Sequence, residues 1–316
     1  MAPSSSSLSR RKVAADNPAA DSGIKLGTGT SGEPQRTGTL TWDELEEWQK
    51  DNEYIVRGYR RLQYNWRGTI ASVFTYVHNE TVNIHSHLLG CALFVYFLGT
   101  FYSAHVERHE NTTWHDSAVI GVFLAAAVFC LAASAFYHTS GCHSKEVATR
   151  CHAFDYSGII VLIVGSFIPS IYYGFYCHAW LQQLYLSTMT LAGLGAAFVV
   201  LDAEYAKPTH RGARTAIFIG LGLCAVVPVT HLALTHGIHE LVNEMGANWL
   251  FTSGALYIGG ALLYANRIPE RMAPGKFDIL LASHQIFHFC VVLAAFAHYQ
   301  GVLKSLRFRM SHPMCG

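Results

Sequence analysis

Seven long apolar stretches follow one another along the chain and are separated by short polar loops. They cover residues 86–104, 117–139, 152–176, 182–202, 214–235, 249–266 and 278–303, and their interiors contain no Lys or Arg. Each approaches or exceeds the roughly 20 apolar residues that a helix needs to cross the hydrocarbon core of a bilayer. The pattern predicts an all-α integral membrane protein, with a bundle of seven transmembrane helices in a domain over residues 79–303.

The polar residues concentrate before the first apolar stretch. Residues 1–40 are rich in Ser, Gly, Ala, Thr and Pro, so we expect a disordered cytoplasmic tail. Thr41 and Glu44 then form a capping-box signature. Apolar and aromatic side chains follow at helical spacings: Leu45, Trp48, Ile55, Tyr59 and Leu62. We therefore predict an amphipathic, interfacial helix region over residues 41–78 on the cytoplasmic side. The alternative is a solvated helical linker.

The loops carry their basic residues on alternate sides of the predicted bundle. Positive charges precede the first stretch and follow the second, fourth and sixth: Arg57, Arg60, Arg61, Arg67, Lys145, Arg150, Lys207, Arg211, Arg267, Arg271 and Lys276. The positive-inside rule then predicts a cytoplasmic N-terminus and an extracellular or lumenal C-terminus. Three basic residues of the short tail 304–316, namely Lys304, Arg307 and Arg309, run against this rule.

Composition excludes other broad classes. Charged residues make up 14% and hydrophobic residues 51% of the 316 residues, whereas soluble proteins average about 25% charged residues. The net charge is +1 and no basic block stands out, which argues against a nucleic-acid partner. We expect a multi-pass protein of the plasma membrane or an endomembrane.

Ionisable side chains inside the predicted spans are the candidate functional residues, because placing them in lipid is costly. Those that we single out are His138, Asp155, His231, His284, His288 and His298. His284 and His288 are four residues apart, so both project from one helix face and can chelate one zinc ion. His138 lies at the same predicted depth and can supply a third nitrogen. Three protein ligands leave a fourth position for water, which is the geometry of catalytic zinc sites.

Two more side chains are expected beside this metal. Asp155 can balance the charge of the cation, either through the bound water or from behind the ligands. Ser134 precedes His138 by four residues, so its hydroxyl can orient a histidine, Asp155 or the water. In the alternative reading the histidines only form hydrogen bonds between helices, which is what we expect of His231 and His298.

Several short blocks share their residues with a known family. These blocks are Asn79–Ile84, His87–Gly90, Ser134–His138, Cys142–Ser144, Asp155–Gly158, Arg267–Arg271, Pro274–Asp278 and Ser283–His288. The chain resembles the adiponectin receptors of the progestin and adipoQ receptor and haemolysin III superfamily, and looks most similar to fungal members. The resemblance implies a seven-helix bundle with the N-terminus inside and a zinc ion near the cytoplasmic side. It implies that His138, His284 and His288 bind the zinc, with Asp155 and Ser134 beside it.

The resemblance also implies a function, and three hypotheses follow. The first is a zinc-dependent lipid amide hydrolase of the ceramidase type, with Asp155 and Ser134 as catalytic residues. Its substrate would be a ceramide-like membrane lipid and its product a fatty acid, linked to receptor signalling and to lipid and zinc homeostasis. The second is a signalling receptor for an extracellular protein ligand, with a purely structural zinc. The third, a zinc transporter, is weaker because the outer half offers only His231 and His298.

Overall fold

The computed structural model describes residues 38–107, 111–202, 204–205 and 207–312, and these are mostly helical. Two short antiparallel strands come first, β1 Thr39–Thr41 and β2 Arg57–Arg60. The helices are α1 Trp66–Thr75, α2 Thr81–Phe101, α3 Trp114–Ser140, α4 Lys145–Gly174, α5 Ala179–Val200, α6 Arg211–Leu223, α7 Val226–His236, α8 Ile238–Asn243, α9 Ala247–Asn266 and α10 Ser283–Ser311. Residues 1–37, which hold nearly all of the predicted tail, lie outside the described residues.

Six stretches of the described chain are helices long and apolar enough to cross a membrane. They are Thr81–Val106, Trp114–Ser140, Lys145–Gly174, Ala179–Val200, Pro208–His236 and Ser283–Ser311. The predicted span 249–266 is also helical, as α9, but Asn248 and Asn266 and several small polar residues leave it less apolar than these six. A bundle of seven transmembrane helices therefore stays a prediction.

Helix α9 runs between the two ends of the bundle. We call the end where α3 ends and α10 begins the histidine end, and the opposite one the far end. Just before α9, the carbonyl of Met245 accepts a hydrogen bond from Ser305, in the far half of α10. Just after α9, Arg267 donates to the carbonyl of Asp51, whose side chain also contacts the start of α6 at Arg211. With 20 residues, α9 is about 30 Å long.

The predicted span 214–235 is divided into α6 and α7. The interruption falls at Cys224 and Ala225, between the two helices. Pro228 has no N–H, and its ring clashes with the carbonyl four residues earlier, which is that of Cys224. By contrast, Pro169 lies inside the uninterrupted helix α4.

The prediction of an amphipathic helix over residues 41–78 is wrong for most of that range. Only α1 is α-helical there, and the Thr41–Glu44 capping box closes a three-residue 3-10 turn. Two local features favour the observed strands and turns over a helix. The side chain of Asn52 accepts a hydrogen bond from the backbone of Tyr54, which competes with helix formation. Gly58 has a φ of 89°, which is a left-handed conformation that glycine adopts at little cost.

The last predicted span, 278–303, is shifted toward the C-terminus, because α10 begins at Ser283 and ends at Ser311. Asp278 lies outside the helix, where its carboxylate accepts a hydrogen bond from the backbone of Val56 and pairs with Arg57. The basic tail that opposed the positive-inside rule is partly helical. Arg309 in particular is buried and forms an ion pair with Asp116 at 3.9 Å.

Two apolar clusters form the core. The first lies among α2, α3, α4 and α10 and includes the fully buried side chains Phe94, Phe123, Leu124 and Leu131. The second lies where α4 and α5 meet α6, α7, α8 and the start of α9. Helices α3 and α4 approach closely at Gly158, where an added Cβ would lie 3.0 Å from the Cα of Cys130.

Candidate metal centre

Three histidines meet at the histidine end of the bundle. His138 lies near the C-terminus of α3, while His284 and His288 lie in the first two turns of α10. One ring nitrogen from each of them lies within 4.8 Å of the others. The ring centroids are 4.7–4.9 Å apart and the rings are inclined by 67–82° to one another. These are the three residues that the sequence analysis predicted as metal ligands, and they lie together in the fold.

Glu80, just before α2, and Asn83, in its first turn, each contact one of these rings. Nδ1 of His138 lies 2.7 Å from Oε2 of Glu80, and Nδ1 of His288 lies 3.1 Å from the carbonyl oxygen of Asn83. An ionised carboxylate and a carbonyl can only accept hydrogen bonds, so Nδ1 carries the proton in both rings. The lone pair on Nε2 is then free in each ring, which is the form that binds metals.

The residues fit a metal ion. Nε2 of His138 is buried, and within the described part of the chain it has no hydrogen-bond partner. An unpaired buried polar atom is costly, and a cation among the three rings would satisfy it. The ring of His87 stacks on that of His288 at 3.7 Å with an angle of 12°, which restricts the orientation of His288. Three imidazoles with one open position suit zinc.

Asp155 and Ser134 lie in the wall of the same cavity as the histidines. Asp155 is on α4 and Ser134 is on α3, one turn before His138, and both are buried. The hydroxyl of Ser134 interacts with the carboxyl of Asp155, which also lies near enough to His138 for a coulombic interaction. A carboxylate held next to a metal centre can accept a proton from water.

A cavity of about 1490 Å³ joins the histidines to the far end of the bundle. Its wall is mostly apolar and includes Ile159, Phe218, Leu250 and Ile258. Further along it reaches His298 and Ser305 in the far half of α10, and the break between α6 and α7 at Ala225 contributes to the wall. A cavity of this size and character suits a large apolar ligand with one polar group.

The segment between β1 and β2 contacts the helices at the histidine end. Asp51 accepts a hydrogen bond from Arg211 at 2.6 Å. The guanidinium of Arg211 lies 5.4 Å from the ring of Tyr264, and that ring is 4.8 Å from the ring of His284. A continuous series of contacts therefore links the residues before α1 to a candidate metal ligand.

Two titratable groups at this end, Glu80 and Tyr59, have shifted pKa values. Burial raises the pKa of Glu80, but the imidazole of His138 and its hydrogen bond act the other way and prevail, so the pKa of this carboxyl is well below its usual value. Burial, reinforced by the charge of Glu80, raises the pKa of Tyr59 well above its usual value. The hydroxyl of Tyr59 accordingly remains a donor, to the carbonyl of Ile55 at 2.9 Å.

The sequence did not reveal the roles of Glu80, Asn83 and His87 in this centre. Glu80 stands just before α2, outside the apolar stretch, so a search for ionisable residues within spans passed over it. The useful signal would have been helical spacing. Residues 80, 83 and 87 fall on one face of α2, and that face meets the histidines.

The other two histidines singled out from the sequence, His231 and His298, form hydrogen bonds between helices, as expected. Nδ1 of His231 on α7 lies 2.8 Å from the hydroxyl of Tyr185 on α5. Nε2 of His298 on α10 donates to the carbonyl of Ser166 on α4 at 3.0 Å.

Comparison with known proteins places the chain in a family. Residues 75–299 match the family described as Haemolysin-III related. The chain is 39% identical over 272 residues to Progestin and adipoQ receptor-like protein 1 of Caenorhabditis elegans, covering 86% of this chain and 62% of that protein. It is 39% identical over 278 residues to the Adiponectin receptor protein of Drosophila melanogaster, covering 87% and 61%.

A fungal relative covers more of its own length. The chain is 37% identical over 265 residues to the ADIPOR-like receptor IZH2 of Saccharomyces cerevisiae, covering 84% of this chain and 83% of that protein. By contrast, the chain spans less than two thirds of the worm and fly relatives. The chain belongs to the haemolysin-III-related family, as an integral multi-pass membrane protein of the adiponectin receptor-like kind.

Proposed function

We propose that the chain is a zinc-dependent lipid amide hydrolase of the ceramidase type, built into a receptor-like membrane protein. The observation that carries this proposal is the convergence of three imidazoles and Asp155 on one large, mostly apolar cavity. Catalytic zinc sites have three protein ligands and one open position. His138, His284 and His288 would be the ligands, and Asp155 and Ser134 the catalytic pair.

The topology proposed with this function has seven spans, a cytoplasmic N-terminus and an extracellular or lumenal C-terminus. The seventh span is α9, which runs from Met245 at the far end to Arg267 at the histidine end. Its length of about 30 Å equals the thickness of the hydrocarbon core. The basic residues of the loops favour the histidine end as the cytoplasmic one. In this topology residues 38–78 are cytoplasmic.

The residues of the chain would act as follows. A bound zinc ion supplies acidification of water and polarisation of the amide carbonyl. Asp155 accepts the proton of the water that attacks the carbonyl carbon, and Ser134 holds the carboxylate in place for this step. When the carbon–nitrogen bond breaks, Asp155 returns the proton to the leaving amine. The products are a fatty acid and a free amine, so atoms and charge balance.

A ceramide-like lipid suits the cavity better than a polar substrate does. The mostly apolar wall between the three histidines and His298 can accommodate acyl chains, while the histidines and Asp155 provide polar groups for the amide. A lipid substrate would reach such a site from the membrane. The fatty acid product could in turn act as the signal of a receptor, and so link the site to lipid and zinc homeostasis.

Metal content and hydrolysis, measured together, test the proposal. We would purify the wild type and Asp155→Asn in detergent, measure zinc by mass spectrometry and follow the release of fatty acid from a labelled ceramide. The expected result is full zinc occupancy in both proteins and hydrolysis only in the wild type. His231→Gln is the matched control, because His231 lies on α7 and contacts Tyr185 instead of the centre, and it should hydrolyse normally.

The second candidate is a signalling receptor in which the zinc is purely structural. It is favoured by the distribution of the ligands over two helices, His138 on α3 and His284 with His288 on α10, which a metal would tie together. The name of the fly relative, Adiponectin receptor protein, suggests an extracellular protein ligand. Zinc without hydrolysis in the wild type, with a large loss of thermal stability on zinc removal, would favour this candidate.

A further inference from the structure

Among the residues that the structure describes, five carboxylates line the cavity: Asp51, Glu80, Asp155, Glu270 and Asp278. Three of them already interact with groups other than the three histidines. Asp51 pairs with Arg211 at 2.6 Å, Asp278 pairs with Arg57, and Glu270 accepts hydrogen bonds from Ser283 and Asn52. This leaves Glu80 and Asp155 to balance a cation among the histidines.

Glu80 is in direct contact with the histidine cluster. Its Oε2 lies 2.7 Å from Nδ1 of His138 and 2.7 Å from Nδ2 of Asn83. The same Asn83 holds Nδ1 of His288 through its backbone carbonyl. The carboxylate of Glu80 therefore holds the ring of His138 directly. It also contacts Asn83, whose backbone carbonyl holds the ring of His288. Asp155 lies beside Ser134 in the wall of the same cavity.

We infer that Glu80 is the positioning residue of the metal centre, which selects the metal-binding form of His138 and supplies the negative charge that retains the cation. Three imidazoles bind a divalent cation without neutralising any of its charge, and an uncompensated charge is strongly disfavoured in an apolar interior. A carboxylate on the far side of a ligand imidazole both orients the ring and makes it more basic. Glu80 then governs metal retention, while Asp155 governs turnover.

This inference rests on the proposed function only in that the centre holds zinc, and it requires no hydrolysis. We would therefore measure the zinc affinity of the full chain in detergent by competition with a coloured chelator. In Glu80→Gln the side chain keeps its shape and loses its charge, and we expect zinc binding to weaken by about 10–100-fold, as is typical for outer partners of metal ligands. Asp155→Asn should weaken it far less.

Two readouts separate positioning from mere structural support. The thermal unfolding of the zinc-free protein should be the same in the wild type and in Glu80→Gln, because the hydrogen bond to His138 matters chiefly for the metal. The absorption spectrum of the Co²⁺-loaded protein should shift in Glu80→Gln, because one ligand changes its basicity. Asp116→Asn is the matched control, since it removes the charge of a fully buried carboxylate that pairs with Arg309, in the last turn of α10. It should lower the unfolding temperature with and without zinc.

Several outcomes would overturn the inference. One is an unchanged zinc affinity and Co²⁺ spectrum in Glu80→Gln, and another is a zinc-free protein that is destabilised as much as the loaded one. If Glu80→Gln does not fold, Glu80→Asp replaces it, because it keeps the charge but is shorter by one methylene. An intermediate affinity supports the inference, and an affinity equal to that of the wild type overturns the positioning role. If the wild type binds zinc but hydrolyses no lipid, the proposed function fails while these affinities still decide the role of Glu80.

Discussion

The carboxylate of Glu270 accepts hydrogen bonds from both the backbone amide and the hydroxyl of Ser283. Ser283 is the first residue of α10 and stands directly before His284. Glu270 is fully buried and also accepts a hydrogen bond from Asn52 at 3.1 Å. Glu270, which is itself bonded to the distant Asn52, thus anchors the start of α10 and with it the candidate metal ligand His284.

Replacing Glu270 by Gln should destabilise the protein. The variant keeps the size of the side chain but weakens three hydrogen bonds to a buried charge, which costs about 1–3 kcal/mol of unfolding free energy. Thermal unfolding in detergent measures the effect. Glu47→Gln is the control, because Glu47 is exposed and pairs with Lys50, three residues later, and its unfolding should match the wild type. Equal stability of all three proteins would contradict the anchoring role of Glu270.

Replacing His288 by Ala should remove the metal. The variant loses one of three ligands, so its zinc affinity should fall by more than the roughly 10–100-fold that the loss of an outer partner costs. Zinc content after gel filtration measures this directly. His298→Ala is the matched control, since His298 is buried on the same helix but donates to Ser166. Zinc that stayed bound in His288→Ala would show that the cluster is not the metal site.

Much of the candidate site could be predicted because lipid makes polar residues conspicuous. Ionisable side chains are costly inside a span, so His138, His284 and His288 stood out, and counting residues from the loops gave them a common depth. The four-residue spacing of His284 and His288 then fixed their shared face. Depth and periodicity are properties that a sequence carries without knowledge of tertiary contacts.

The rest depended on contacts that no local pattern encodes. Residues 41–78 show helical spacings, yet only α1 is α-helical among them. Backbone groups such as the N–H of Val56 and the carbonyl of Tyr54 instead bond to the loop before α10. Glu80 and His138 are separated by 58 positions, and only the packing of α2 against α3 makes them neighbours. Tertiary contacts of this kind override local propensity.

Replacing Gly158 by Ala should separate α3 from α4. An added Cβ would lie 3.0 Å from the Cα of Cys130, and a backbone atom cannot move aside as a flexible side chain can. Overpacking of this kind costs about 1–3 kcal/mol. Because Asp155 lies one turn earlier on α4, the variant should also lose hydrolysis more than zinc. Thermal unfolding, zinc content and fatty acid release would be measured on the same preparation.

Gly195→Ala is the matched control for Gly158→Ala. Gly195 lies within α5, and apart from the adjoining residues and backbone of α5 no heavy atom of the described residues is within 4 Å of its added Cβ. Alanine is the better helix former by about 1 kcal/mol, so this variant should be as stable as the wild type or more stable. If both variants unfolded alike, the close approach at Gly158 would not be what limits the packing of the two helices.

Acid should destabilise the protein through His78. This residue lies between α1 and α2 and is fully buried, and its Nδ1 accepts a hydrogen bond from the backbone of Glu80. Burial, with a smaller contribution from the charge of Arg60, lowers the pKa of His78 from 6.5 to about 3. The folded protein therefore keeps His78 neutral, while the unfolded chain takes up a proton below pH 6.5.

The stability that depends on neutral His78 is fully present above pH 6.5 and is lost as the pH falls toward 3. The loss approaches about 1.4 kcal/mol per pH unit, or about 2 kcal/mol at pH 5.0. We would compare unfolding at pH 7.5 and pH 5.0 in the wild type and in His78→Gln, both zinc-free so that metal release does not contribute. His78→Gln cannot take up the proton, and its amide oxygen can still accept from Glu80, so its loss between the two pH values should be smaller by about this amount. The same loss in both proteins would mean that His78 can be protonated without unfolding its surroundings.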